Sequence, residues 1–108
     1  MTSTSEEMDA RELQADSRDR GSTLARECQG GQQATVSGTI RALTLRPVGG
    51  VPALEAELYD GSGSIKVVWL GRRKIQGIAP GTTLSVQGRV TIQHGVPVIF
   101  NPFYELHA

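Results

Sequence analysis

The sequence predicts an all-β fold in which five strands close into a small Greek-key barrel, with one short helix between the third and fourth strands. Three observations predict it. Apolar and polar residues alternate over Ala53–Tyr59 and again over Thr83–Gln93, which is the period of half-buried strands. A glycine-rich loop, Asp60–Gly63, follows the first run, as in a hairpin. Gly38 interrupts another apolar run, where it indicates a bulge or a sharp bend.

Turn residues separate the strands. The five predicted strands are, in order, Ala34–Arg46, Ala53–Tyr59, Ile65–Leu70, Thr83–Gln93 and Val96–Tyr104. Pro97 and Pro102 favour an edge position or strand ends for the fifth, because proline donates no ladder hydrogen bond. Gly71–Ile75 has room for a turn or two of helix between the third and fourth strands. Five strands in the order β-β-β-α-β-β, with a bent first strand, are the layout of the OB-fold.

Composition limits the function classes. With 108 residues, 38% of them hydrophobic, the chain has room for one compact core. Cys28 is the only cysteine and there are two histidines, so we expect no disulfide, metal or cofactor. No run approaches the roughly 18 apolar residues of a membrane span, and the N-terminus has no signal-peptide pattern. We expect a cytoplasmic monomer that is not an enzyme, because no catalytic motif is present.

Charge divides the chain into two parts. Met1–Gly21 is polar, acidic and poor in large apolar residues, which predicts a disordered or weakly helical tail before a domain over 22–108. Up to Cys28, seven acids face four arginines, whereas from Gln29 onward seven bases face four acids. This asymmetry favours a polyanionic partner for the domain. If the tail covers the same basic surface, its deletion should tighten binding of that partner.

Three stretches resemble the OB-fold nucleic-acid-binding family: Leu58–Trp69, Ile78–Val90 and Ile99–Glu105. Members that the sequence is similar to include the wedge domain of the RecG helicase, related OB modules of replicative polymerases, anticodon-binding domains and small stand-alone bacterial OB-fold proteins. The resemblance covers Thr35–Glu105 and omits both the tail and any helicase motor. It implies a ligand face on the second and third strands and their flanking loops, suited to single-stranded DNA or RNA. Other OB-folds bind oligosaccharides or proteins.

The candidate binding residues are basic and aromatic side chains on this face and its loops and one apolar neighbour, together with Arg41 and Arg89 on outward phases of the first and fourth strands, where they either extend the groove or are solvated. They are Arg41, Arg46, Tyr59, Lys66, Val68, Trp69, Arg72, Arg73, Lys74, Arg89 and His94. Tyr59 can stack a base or fill the strand surface. Lys66 can contact a phosphate or pair across strands with Glu55 or Glu57. The cluster over Arg72–Lys74 forms either a phosphate-binding rim or a solvated connector.

Trp69 has two interpretations. It lies in phase with Ile65, which places it in the core, with Val68 and Leu70 then forming an exposed apolar pair. A bulge would shift the register and turn Trp69 toward a ligand. Near the C-terminus, three aromatic residues are expected to seal the barrel: Phe100, Phe103 and Tyr104.

Two functions follow from these features. The first is binding of single-stranded nucleic acid, with weak sequence preference, through stacking and phosphate contacts. The alternative is a protein-interaction module that acts as a subunit or adaptor, using Val68 and Leu70 or an open strand edge. Glu55 and Glu57 on the expected ligand face favour the alternative, because carboxylates repel phosphates.

Overall fold

The computed structural model describes residues 5–107, with side chains from residue 9 onward, and its fold is mostly β. A helix, α1 (Ser5–Asp19), and a short 3₁₀ turn (Ala25–Glu27) precede six strands. The strands are β1 (Gln33–Val48), β2 (Val51–Tyr59), β3 (Ser64–Leu70), β4 (Thr83–Gln93), β5 (Val96–Phe100) and β6 (Phe103–Leu106). Five of them form a closed ring in the order β1-β2-β3-β5-β4, because β4 also pairs with β1. Pairing is antiparallel except between β3 and β5.

A bend in β1 closes the ring. Its first part, Gln33–Thr39, pairs with β4, and its second part, from Thr39 onward, pairs with β2. At the change of partner, Gly38 lies so close to the Tyr59 carbonyl oxygen that a Cβ there would collide with it. A register shift between Ile40 and Ala42 adds one extra residue to β1. The bend expected at Gly38 is therefore confirmed.

The prediction of one long fifth strand was wrong, because the chain breaks between β5 and β6. Asn101 has a left-handed φ of 47° and Pro102 has no amide hydrogen, so neither continues the β5 ladder. The Asn101 amide donates to Val68 O (2.7 Å), and its side-chain Oδ1 accepts from Leu70 N (2.9 Å). The chain then turns, and β6 pairs with β4. The edge of β4 that β6 uses is opposite to the edge that pairs with β1.

The helix predicted between β3 and β4 was also wrong, since residues 71–82 form only turns. Gly71 and Gly77 both have positive φ, and the stretch between them is too short for a stable helix. Instead of a helix, Ile75 and Ile78 are buried in the main core, which contains the inward-facing side chains of the ring. The loop therefore seals the ring by burying two side chains.

The N-terminal segment forms a continuous helix of 15 residues, which packs on β1. The first four residues of the predicted tail lie outside the described residues, and the division of the chain at residue 21 stays a prediction. Gly21, with φ +72°, terminates the helix: its amide donates to Arg18 O, and the next amide donates to Ser17 O. Neither α1 nor any other helix of residues 5–107 is long and apolar enough to cross a membrane.

Candidate functional site

The outer face of β1, β2 and β3 carries the candidate polar residues. Alternation turns Leu54, Ala56 and Leu58 into the core, so the residues between them point outward. Cross-strand register places Glu57 beside Lys66, and Glu55 beside Val68. These strands form a shallow groove of about 310 Å³. We call this surface, together with the adjoining outward side chains of β5, which pairs with β3, the outer face.

The Glu55 carboxylate forms ion pairs with two of the cations that the sequence predicts to bind phosphate. Its Oε1 lies 2.7 Å from Nη2 of Arg46 and 3.9 Å from Nζ of Lys66, and its side chain is only 15% exposed. Glu57 accepts a hydrogen bond from Ser64 Oγ (2.9 Å). The cross-strand alternative for Lys66 is thus what the structure shows, with Glu55 as the partner. An anion on this face has to compete with Glu55 for both cations.

Arg41 and Tyr59 form a cation–π pair at the other end of the outer face. The guanidinium carbon lies 4.0 Å from the ring centroid, a geometry that gives a favourable electrostatic contact with the ring. Arg41 occupies the irregularity in β1, which turns its side chain toward Tyr59. An aromatic ring beside a guanidinium can stack a base and hold its phosphate. This pair therefore has the chemistry expected of a single-strand contact.

Trp69 belongs to the core, as its phase with Ile65 predicts. It is 5% exposed and packs edge-on against Tyr104, with ring centroids 6.0 Å apart. Its Nε1 has no hydrogen-bond partner within the described residues. The indole plane is therefore closed to a ligand on the outer face.

The prediction that Val68 and Leu70 form an exposed apolar pair was wrong for Val68. Val68 is only 3% exposed and packs with Ala53 and Val98 in a second, smaller apolar cluster on the outer face. Leu70 remains 37% exposed. Val68 is buried because the parallel neighbour β5 places Phe100 directly beside it. A sequence cannot show this neighbour, since β5 is distant along the chain.

Phe100 is the residue of the outer face that sequence analysis assigned wrongly. Ile99 points into the core, so Phe100 points outward, where it is half-buried against the second cluster. The signal that could have placed Phe100 correctly is the alternation of the strand, because a residue next to the inward-facing Ile99 points outward. Phe103 does not seal the ring either, as it is 81% exposed. Of the three C-terminal aromatic residues, Tyr104 contacts the core, through Trp69.

The remaining candidates lie on loops or other strands. Arg72, Arg73 and Lys74 are exposed in the loop after β3, and Arg73 shares a groove of about 320 Å³ with Arg46. Arg89 lies on β4 and donates from Nη1 to Gly31 O (2.6 Å). His94 lies in the β4–β5 turn with φ 52°. The structure thus brings together Arg41 with Tyr59, and Arg46 with Lys66 and Arg73, but not Arg89.

No metal site is formed by groups of three or more His, Cys, Asp and Glu side chains in the described part of the chain. Cys28 is half-buried, and its thiol lies 3.6 Å from Leu24 O. Burial is the main cause that raises the pKa of the Cys28 thiol, and the nearby negative charges of Asp60 and Glu27 raise it further. A thiol held in its neutral form is a poor nucleophile.

The comparisons with known proteins show a shared fold. A chain from a structure of RecG bound to a three-way DNA junction is similar to this one, with a TM-score of 0.58 and 23% sequence identity. The similarity covers 72% of this chain and 11% of the RecG chain, so this protein spans a small part of RecG's length. No protein-family model and no curated protein matches the sequence significantly.

Proposed function

We propose that this protein is a non-enzymatic OB-fold module that binds single-stranded DNA or RNA on its outer face. The ring order β1-β2-β3-β5-β4, with a parallel β3–β5 pair, supports the OB-fold assignment. The likeness to part of RecG, whose structure contains a DNA junction, supports a nucleic-acid ligand. The observation that carries the proposal is the Arg41–Tyr59 pair, which lies on the same face as Lys66 because Tyr59 is in phase with Glu57, the cross-strand partner of Lys66.

Binding takes place by stacking and by phosphate contacts, with weak sequence preference. Tyr59 and Phe100 are aromatic side chains that reach the outer face, and Arg41, Arg46, Lys66 and Arg73 are cations that lie on it or share a groove with one of its residues. Four phosphate contacts at about −0.7 each give a slope of log K on log salt near −3. Because Trp69 is buried, its emission should respond little to ligand.

The test is titration of isotope-labelled protein with short oligo-dT and oligo-rU at low and moderate salt, followed by amide chemical shifts. We expect salt-sensitive shifts at Tyr59, Lys66 and Phe100. Tyr59→Ala should weaken binding by about five-fold or more, on the scale of one lost base stack. Arg89→Ala is the control, because Arg89 lies off this face and bonds Gly31. Absence of shifts with both oligonucleotides would refute the proposal.

A second candidate function is a protein-interaction module, and Glu55 is the observation that favours it. Its carboxylate neutralises the centre of the outer face, where a nucleic-acid site needs positive charge. On this alternative, the module would be a subunit or adaptor that docks through this face or through the β6 edge. A partner complex that survives high salt and does not exchange with oligonucleotide would support it.

A further inference from the structure

Helix α1 lies beside the end of the outer face that carries Arg41 and Tyr59. The carboxylates of Asp9, Glu12 and Asp16 line the same groove as this pair, which has a volume of about 570 Å³. None of the ion pairs formed among residues 9–107 joins these carboxylates to Arg41. The acids therefore place negative charge over Arg41 without closing a direct contact. A phosphate backbone that enters this groove meets the carboxylates of Asp9 and Glu12, while the charge of Asp16 is offset by Arg20, whose Nε lies 2.8 Å from Asp16 Oδ2.

Few polar contacts hold α1 in place. Between residues 9 and 20, two side chains hydrogen-bond to the rest of the fold: Gln14 Nε2 donates to Gly61 O (2.9 Å), and Arg20 Nη1 lies 3.3 Å from Nδ1 of His107. Ser17 is fully buried, and its hydroxyl has no partner in the described structure. A buried hydroxyl without a partner raises the free energy of the docked state, because water would satisfy it after undocking. The Ser17 hydroxyl therefore weakens docking of α1.

A hinge separates α1 from the part of the chain that is tied to the ring. Gly21 has open space around its Cα. Directly after it, Ser22 Oγ lies 2.6 Å from Ser37 Oγ, and Thr23 N donates to Thr35 O (2.8 Å). Rotation at Gly21, with loss of the Arg20–His107 contact and of the bond from Ser22 N to Ser17 O, can therefore release α1 while the rest of Ser22 and everything after it stay in the fold.

We propose that α1 is an intramolecular competitor, an acidic helix that docks over the Arg41–Tyr59 end of the outer face and is displaced when nucleic acid binds. The proposal rests on the proposed function, because it describes regulation of that same surface. Occupation of the groove by nucleic acid and docking of α1 exclude each other. Every change that weakens docking therefore tightens nucleic-acid binding, and every change that strengthens docking weakens it.

The charge contribution is tested with Asp9→Asn and a matched control, Asp19→Asn, in the full chain. Both remove one negative charge from α1, but Asp19 does not line the groove. The affinity for fluorescein-labelled oligo-dT should rise about two- to five-fold for Asp9→Asn, on the scale of one screened charge contact, and less for the control. The difference should disappear at high salt. Equal effects of the two variants would overturn the proposal.

The docking contribution is tested with two variants of opposite effect. Gln14→Ala removes the bond to Gly61, so α1 amides should exchange hydrogen faster and oligo-dT should bind more tightly. Ser17→Ala removes the unpartnered hydroxyl, so the same amides should exchange more slowly and binding should weaken by about five-fold or more.

The outcomes separate this inference from the proposed function. If the wild-type protein binds oligo-dT and the α1 variants change amide exchange without changing affinity, competition is refuted and the binding function stands. If no variant binds, including Gln14→Ala with α1 released, the proposed function fails and the competition fails with it.

Discussion

The carboxylate of Asp60 connects the β2–β3 turn to the segment before β1. It is fully buried and accepts hydrogen bonds from Ser62 N (2.9 Å), Ser62 Oγ (2.7 Å) and, across the fold, Ala25 N (2.7 Å). The first two bonds form the local turn that a sequence of this type predicts. The bond to Ala25 joins positions 35 residues apart and is not visible in the sequence.

Asp60→Ala should lower the free energy of unfolding by about 2–3 kcal/mol, because it leaves the buried Ala25 amide without an acceptor. For a domain of this size we expect the Tm to fall by roughly 8–20 °C. Thermal denaturation followed by circular dichroism measures it. Glu57→Ala is the control, since that carboxylate is exposed and accepts one bond from Ser64. Equal losses in the two variants would show that the buried bonds contribute nothing.

The raised pKa of Cys28 predicts how stability depends on pH. Burial holds the thiol neutral in the folded state, so its pKa lies above the ordinary value of 9.0 there, whereas the unfolded thiol ionises near that value. Above this pH the unfolded state loses the proton first, and the contribution of Cys28 to stability falls as the pH rises.

The measurement compares urea denaturation of the wild type and Cys28→Ala from about pH 8 to about pH 10.5. Their difference in unfolding free energy should shift in favour of the variant with increasing pH. Other groups titrate equally in both proteins, so a difference that stays constant would contradict this assignment.

At the scale of elements, the bend in β1 determines whether the ring can close. The position of Gly38 within an apolar run predicts the bend, and the structure shows its cause: the Tyr59 carbonyl oxygen occupies the space of a side chain. Where alternation was clear, as in β2 and β4, both the strands and their inward faces were predictable. It also gave the outward orientation of Val68 and was available for Phe100, but it could not predict their burial, which depends on the parallel β3–β5 contact.

Gly38→Ala should destabilise the protein by about 3 kcal/mol or more, since the added methyl group collides with backbone rather than with a movable side chain. Gly63→Ala is a matched control, because a Cβ there has ordinary contacts and its φ is not positive. Its cost should be about 1 kcal/mol or below. Chemical denaturation compares the two variants, and similar midpoints would argue against the close approach at Gly38.

At the scale of the whole molecule, the distribution of charge matters more than its total. The formal net charge is zero, and the excess of bases from Gln29 onward predicts a basic face. In the fold, Glu55 offsets Arg46 and Lys66 on that face, and α1 brings carboxylates to Arg41. On the proposed function, affinity for nucleic acid depends on which of these negative charges can be removed or displaced.

Glu55→Gln should tighten binding of oligo-dT by about two- to five-fold, because it releases two cations from one carboxylate. The slope of log K on log salt should become steeper by about 0.7 for each further phosphate that the released cations neutralise. Glu57→Gln removes the same charge without releasing Arg46, so its effect should be smaller. Weaker binding by Glu55→Gln would mean that Glu55 positions Arg46 and Lys66 for the ligand.

By itself, the sequence determined the local features: strands with alternating faces, a hairpin turn at Asp60–Gly63 and the bend at Gly38, whereas the core position of Trp69, one of two interpretations that the sequence allowed, was decided by the fold. These depend on neighbours within a few residues, where periodicity and backbone preference act. Only the tertiary structure decided that residues 71–82 seal the ring without a helix, that Phe100 shares the outer face with Val68, and that α1 reaches Arg41 and Tyr59. The physical reason is that these contacts join positions far apart in the chain, and no local pattern records which surfaces will meet.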